Sequence, residues 1–201
     1  MNPLNSVGGV ITGGIVLAVI IAAATMGIAF NVGSFIVWIH VLAGITWIGL
    51  LYYFNFVQVP ALADAAADEG GPGGAGITKY VAPRALWWFR WGAALTWLSG
   101  AAYLGHLKMF TAAFTLGLGG EVLNSQAMVI GVGAWLGTIM LFNVWVLIWP
   151  NQKKILGMVE ASPEEVAKAR KVAFLASRTN TLLSIPMLMS MVGFGHGGFF
   201  I

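Results

Sequence analysis

The stretch FIVWIHVLAGITWIGLLYYFNFVQV, residues 35–59, contains no Asp, Glu, Lys or Arg in 25 residues. A helix rises about 1.5 Å per residue, so a run of this length crosses a hydrocarbon core roughly 30 Å thick. Its apolar residues are continuous and do not alternate with polar ones, which favours a helix over a barrel strand. The stretch therefore predicts a transmembrane helix.

Four further apolar runs of similar length flank this one, and the chain as a whole is 59% hydrophobic and 8% charged. They lie at about residues 10–30, 87–107, 127–149 and 172–194. This composition is typical of a polytopic membrane protein. We predict an all-α membrane bundle of about five transmembrane helices: an N-terminal helix within residues 1–34 and a four-helix domain over residues 35–201, with a flexible loop at 61–83.

The basic residues follow the pattern of topology signals in short loops. They are Lys79, Arg84, Arg90, Lys153, Lys154, Lys168, Arg170, Lys171 and Arg178, with Lys108 alone on the other side. By the positive-inside rule this predicts a cytoplasmic N-terminus and a periplasmic C-terminus in a bacterial inner membrane. We therefore expect the chain to contact the lipid bilayer and not a nucleic acid.

Two local patterns mark helix boundaries on the cytoplasmic side. Pro150 follows the fourth run and predicts the end of that helix. Ser162-Pro163-Glu164-Glu165 has the spacing of a capping box with proline in the first turn, and predicts a new helix start.

The chain has no cysteine. This excludes disulfides, cysteine-ligated iron–sulfur clusters and covalently attached c-type haem. A redox centre here would have to be held by histidine, methionine or a non-covalent pocket.

The three histidines of the chain, His40, His106 and His196, all fall toward the outer face in this topology. Ionisable groups in membrane spans are costly and mark functional sites, and imidazole is a haem and metal ligand. His40 is the best buried candidate. His106 also fits an ordinary interfacial histidine, and His196 a glycine-rich tail. A three-histidine zinc site ranks below haem, because Glu121 is the one acid near enough to orient it.

Small residues beside His40 suggest where a cofactor could lie. Ala43 and Gly44 are one turn from His40 on the same face, and Trp47 is a further turn on. A flat macrocycle would fit there. We therefore predict His40, Ala43, Gly44 and Trp47 as cofactor contacts and His196 as the second axial ligand, with His106 as a weaker alternative.

A second polar group lies toward the cytoplasmic side. It comprises Asn143, Arg178 and Asn180. These side chains are candidates for hydrogen bonds across helices, or for contacts to a substrate or quinone headgroup. The sequence offers no nucleotide loop, no Ser/His/Asp set and no paired intramembrane carboxylates, so it provides no constellation for hydrolase chemistry.

Four segments resemble, in order, the membrane part of bacterial membrane-bound urate hydroxylases, the urate oxidase N-terminal family. They are WIHVLAGITWIGLLYYFNF (38–56), ALWWFRWGAALTWLSG (85–100), GTIMLFNVWVLIWPNQKKI (137–155) and SRTNTLLSIPMLMSM (177–191). The resemblance implies a helical membrane domain that oxidises urate and passes electrons to a c-type cytochrome, usually fused at the C-terminus. More distant haem-binding four-helix membrane proteins show a similar histidine motif, which implies haem b at His40.

The chain departs from that family in two respects. Its 201 residues contain no Cys-x-x-Cys-His motif, and two family histidines align with Gly131 and Thr179. Three functions remain open. The first is a haem b protein that transfers electrons, either as a free membrane oxidoreductase or as a subunit of a redox complex. The second is a cofactor-free structural subunit of a larger respiratory-type complex, and the third is urate oxidation with a separate cytochrome c.

Overall fold

A computed structural model describes residues 2–197, and every regular element in that range is helical. The chain divides into two compact units, residues 1–34 and residues 35–201. In the first unit, a short 3₁₀ turn at Pro3–Asn5 precedes helix α1, Val7–Met26. The hydroxyl of Ser6 caps α1 by accepting a hydrogen bond from the Gly9 N–H at 3.0 Å. No residue of α1 is buried, as expected of a helix that faces lipid.

From Val32 to the end of the described residues, the chain forms four long helices and one short one. They are α2 (Val32–Ala67), α3 (Ala82–His106), α4 (Phe110–Phe114), α5 (Ser125–Ile155) and α6 (Pro163–His196). The capping box predicted at the start of α6 is present: Ser162 Oγ accepts from the Glu165 N–H at 3.2 Å, and Glu165 Oε2 accepts from the Ser162 N–H at 2.9 Å.

Helices α1, α2 and α5 are long and apolar enough, by length and composition, to cross a membrane, with mean hydropathies of 2.4, 2.0 and 1.8. Helices α3 and α6 are 25 and 34 residues long. The prediction of an all-α membrane protein is confirmed. Five long helices agree approximately with the five predicted spans.

The loop predicted at 61–83 is shorter in the structure. Helix α2 continues to Ala67, and a π-helical turn at Ile77–Val81 leads directly into α3. The prediction treated alanine and glycine alike, whereas alanine is the strongest helix former and extends α2. Gly70 and Gly73 lie outside the helices and adopt the positive φ values of 89° and 66° that glycine tolerates.

Three π-helical turns share one feature: each ends two residues before a proline. They are Tyr53–Gln58 before Pro60, Ile77–Val81 before Pro83 and Asn143–Ile148 before Pro150. Proline lacks an N–H, and its ring clashes with the carbonyl four residues earlier, which in each case belongs to the wide turn. The prediction that the helix stops at Pro150 is therefore wrong, because the turn absorbs the clash and α5 runs on to Ile155.

The core of the second unit is aromatic and aliphatic. Trp47, Leu51 and Phe54 of α2 pack with Phe89 of α3 and Met140 of α5. The Phe54 and Phe89 rings meet edge to face with centroids 5.5 Å apart, a favoured geometry for aromatic pairs. These contacts fix α2, α3 and α5 side by side around one buried cluster.

Close packing of α5 against its neighbours depends on two of its glycines. A Cβ atom at Gly131 would overlap the Ala113 carbonyl oxygen of α4. A Cβ at Gly133 would lie 2.8 Å from Ser190 Oγ of α6, whose oxygen accepts the Gly133 N–H at 2.9 Å. Helices without large side chains at their contact approach closely in this way. Gly137, by contrast, faces open space.

Candidate functional site

His40 projects from α2 toward α3 and is half-buried between them. Its Nδ1 lies 2.8 Å from the carbonyl oxygen of Thr96, and 3.3 Å from Ser99 Oγ. A carbonyl oxygen can only accept, so the short contact places the ring proton on Nδ1. In the neutral ring, this leaves the Nε2 lone pair available to a ligand.

The segment of α3 that contacts His40 leaves room for the imidazole ring. Thr96 Oγ1 donates to the Gly92 carbonyl at 2.7 Å, and Ser99 Oγ donates to the Leu95 carbonyl at 2.6 Å, so both hydroxyls have partners within their own helix. A Cβ at Gly100 would lie 2.9 Å from His40 Cε1. Glycine at position 100 is therefore what lets the imidazole sit against α3.

Sequence reasoning missed Thr96, Ser99 and Gly100 as partners of His40. They lie within five consecutive residues of α3 and share the face that α2 contacts. Their signal in the sequence was a pair of hydroxyl residues followed by a glycine inside an apolar span. That pattern marks a polar or closely packed contact between helices.

The space predicted beside Ala43 and Gly44 for a flat macrocycle is occupied by α3. A Cβ at Gly92 of α3 would lie 3.5 Å from the Ala43 carbonyl oxygen and 3.3 Å from the Trp47 nitrogen. A Cβ at Gly44 would lie 3.8 Å from a Thr96 methyl group. The small residues thus serve the approach of two helices, which is the other use of small residues in membrane spans.

Trp47 is part of the packed core and not the wall of an open pocket. Its exposed fraction is 2%, and its indole Nε1 has no hydrogen-bond partner among the described residues. An unpaired buried N–H costs free energy. Trp47 supports His40 by packing α2 in place.

The structure places His106 and His196 differently from His40. Both are exposed: His106 ends α3, and His196 ends α6 with its Nδ1 3.2 Å from the Val192 carbonyl oxygen of its own helix. Over residues 2–197 no cluster of three or more His, Cys, Asp or Glu side chains could hold a metal ion. In this range the three-histidine zinc site is absent, and His40 is the histidine held by a contact between helices.

The polar group on the cytoplasmic side divides into a buried pair and an exposed arginine. Asn143 Nδ2 donates to Asn180 Oδ1 at 2.8 Å, and Asn180 Nδ2 donates to the Met140 carbonyl at 2.9 Å. Asn180 is completely buried. Arg178 is exposed, with its guanidinium carbon 5.2 Å from the Phe174 ring centre. The structure therefore joins Asn143 and Asn180 across α5 and α6, but not Arg178.

Two further hydrogen bonds tie α2 to α6, and sequence reasoning did not single them out. Tyr52 Oη lies 2.9 Å from Ser184 Oγ, and Asn55 Nδ2 donates to Ser177 Oγ at 2.8 Å. Asn55 lies in the first π-turn and Asn143 begins the third, so these two turns each present a buried amide to α6. Such turns often occur at functional sites.

Comparison with curated proteins found no match, and comparison with solved structures found none. A family model, that of the urate oxidase N-terminal family, matches residues 115–200. The match includes α5, α6, the Asn143–Asn180 pair and His196, whereas His40 and its partners in α3 lie before it. Over residues 115–200 the chain is therefore similar to the urate oxidase N-terminal family.

Proposed function

We propose that this chain is an integral membrane protein that binds haem b and transfers electrons, alone or as a subunit of a redox complex. One observation carries the proposal: His40 donates Nδ1–H to the Thr96 carbonyl and so keeps Nε2 free to bind iron. Histidines that bind metals usually donate their other ring N–H to a carbonyl or carboxylate, which fixes the tautomer and raises the basicity of the ligand.

A haem at His40 would lie on the Nε2 side of the ring, because α3 fills the space beside Ala43 and Gly44. The Thr96 carbonyl and the flat surface at Gly100 hold the ring from one side, so its orientation is set before any cofactor binds. Haem would supply one-electron exchange at its iron. The apolar helices around the site would exclude water and help set the reduction potential.

His196 is the proposed second ligand. Its Nδ1 is also directed at a backbone carbonyl, that of Val192, so its Nε2 is the nitrogen available to a metal. His106, at the end of α3, is a weaker alternative. One histidine from α2 with one from the end of a second helix would give the bis-histidine coordination that suits electron transfer.

The charge pattern supports a location in a bacterial inner membrane with the N-terminus in the cytoplasm and the histidines toward the periplasm. An electron partner on that side, a cytochrome c or a larger membrane complex, fits this orientation. The family described as urate oxidase N-terminal also supports urate as an electron donor. Urate-dependent reduction of added cytochrome c in membranes containing the protein tests that more specific role.

Optical spectroscopy tests the proposal directly. The full chain is expressed with added haem precursor and purified, and the dithionite-reduced minus oxidised spectrum is recorded. We expect b-type bands that disappear or shift in His40→Ala and persist in His106→Ala. A well-folded protein without b-type absorption after haem-replete expression would refute the proposal.

The same hydrogen bond also favours a second function, that of a cofactor-free structural subunit, because the bond links two helices. The His40–Thr96 contact joins α2 to α3 whether or not haem is present. Haem-free protein that co-purifies in fixed ratio with a large membrane complex would support this function.

A further inference from the structure

Two basic side chains converge on one indole ring near the ends of α3 and α5. The guanidinium carbon of Arg90 lies 3.3 Å from the Trp149 ring centre, and the ammonium of Lys153 lies 5.8 Å from the same ring centre. Arg90 also lies 5.8 Å from the Trp145 ring centre, one turn earlier in α5. Cations over aromatic faces are attracted by the ring quadrupole, so both charges are held in place.

The arginine is fixed but keeps free donors. Its Nε donates to the Leu86 carbonyl at 3.3 Å, which leaves the terminal guanidinium nitrogens without a protein acceptor among the described residues. Arg90, Trp149 and Lys153 are all half-buried. Each side chain is therefore partly covered by its neighbours and keeps part of its surface accessible.

No carboxylate compensates these two charges. Over residues 2–197 the one ion pair is that of Lys154 with Glu165, at 3.1 Å. Arg90 and Lys153 thus place two positive charges beside apolar helices without a neighbouring anion. The two charges repel each other. An anionic group bound between them would relieve the repulsion and accept the remaining arginine hydrogen bonds.

We propose that Arg90, Trp149 and Lys153 form a binding site for the phosphate of an anionic membrane phospholipid. The location supports a lipid as the source of the phosphate: Lys153 is in the last turn of α5, and Trp149 lies where an apolar, membrane-length helix ends. Tryptophan at this depth is typical of the headgroup region. Basic clusters between membrane helices bind anionic headgroups.

Native mass spectrometry of the full chain in a neutral detergent tests the site. The protein is titrated with phosphatidylglycerol, with phosphatidylcholine of the same acyl chains, and with phosphatidylglycerol in the presence of inorganic phosphate. We expect phosphatidylglycerol to bind more tightly than phosphatidylcholine. Arg90→Gln and Lys153→Gln should each weaken it about fivefold, as expected for one basic residue near a lipid headgroup.

Matched control variants distinguish binding at this site from a general effect of the protein's positive charge. Arg178→Gln removes an arginine that contacts a single ring, and Lys171→Gln removes an exposed lysine. Both should leave phosphatidylglycerol binding unchanged. Equal losses in the controls, equal binding of the two lipids, or displacement of the lipid by inorganic phosphate would overturn the proposal. If Arg90→Gln does not fold, Lys153→Gln decides alone, because Lys153 lies at a helix end.

Discussion

The contact between Gly100 and His40 gives the sharpest test of the candidate site. Replacing Gly100 by alanine adds one methyl group 2.9 Å from His40 Cε1 and 3.2 Å from Nδ1. Carbon atoms in comfortable contact lie about 3.5 Å apart or more, so the ring has to move by about 0.6 Å. That movement lengthens or bends the 2.8 Å hydrogen bond from Nδ1 to the Thr96 carbonyl.

The size of the effect follows from two costs. Overpacking by one methylene-sized group typically costs about 1–3 kcal/mol. A weakened hydrogen bond adds up to about 1 kcal/mol. We therefore expect Gly100→Ala to lower the free energy of unfolding by about 2–3 kcal/mol and to shift or weaken any b-type absorption band.

Gly105→Ala is the matched control, because position 105 is in the same helix and a Cβ there would meet no atom within 4 Å. In a helix, this exchange of glycine for alanine should be neutral or stabilising by up to about 1 kcal/mol. Unfolding in mixed micelles, followed by circular dichroism, compares the two variants. Equal stability of Gly100→Ala and Gly105→Ala would refute the packing described for His40.

Three further predictions concern other parts of the second unit. Gly131→Ala should destabilise the protein by at least about 2 kcal/mol in the same unfolding assay, because a Cβ there overlaps a backbone carbonyl of α4, whereas Gly137→Ala, which faces open space, should not. Asn180→Ala should cost about 2–4 kcal/mol because it leaves the Asn143 amide buried without its acceptor, and an unchanged unfolding midpoint would contradict this. The pKa of Glu165 is lowered by the backbone N–H of the N-cap residue of α6 and by the neighbouring lysine, so its carboxylate stabilises the fold above the ordinary value of 4.5 and loses this effect as the pH falls through the lowered pKa. The difference in thermal midpoint between the protein and Glu165→Gln should therefore shrink below pH 4.5, and a difference independent of pH would count against the capping contact.

The helices were predictable because the length and apolar composition of a segment are enough to identify a membrane span. Residues 35–59 contain no charge, and the structure makes them part of one helix, Val32–Ala67. The start of α6 was predictable for a different reason. The side chains of Ser162 and Glu165 each accept a hydrogen bond from the other residue's backbone N–H. Four consecutive residues are therefore enough to predict this helix start.

The partners of His40 were not predictable in the same way. Its acceptor is the backbone carbonyl of Thr96, 56 residues away, and every residue has such a carbonyl. What placed it there is the approach of two helices at Gly92 and Gly100, which depends on packing and not on any local pattern. A histidine in an apolar run indicates that it has a hydrogen-bond partner, but which residue is the partner depends on the tertiary structure.

The separation of Arg178 from Asn180 was available in the sequence. Residues two apart on a helix do not share a face, so a buried Asn180 puts Arg178 toward the outside. Grouping the two by depth alone hid this. The Asn143–Asn180 bond was foreseen as a contact between helices, and here the rule that buried amides find partners was sufficient.

The wide turns before Pro60, Pro83 and Pro150 change how the sequences of these helices should be compared with others. A π-turn holds one residue more than an α-turn, so every side chain beyond it is rotated by about 100° relative to a regular helix. A helical wheel drawn through Asn143 assigns the wrong faces to Trp149 and Lys153. A relative that lacks the proline is expected to lack the extra residue as well, and an ungapped alignment would then pair inward with outward positions from that point to the end of the helix.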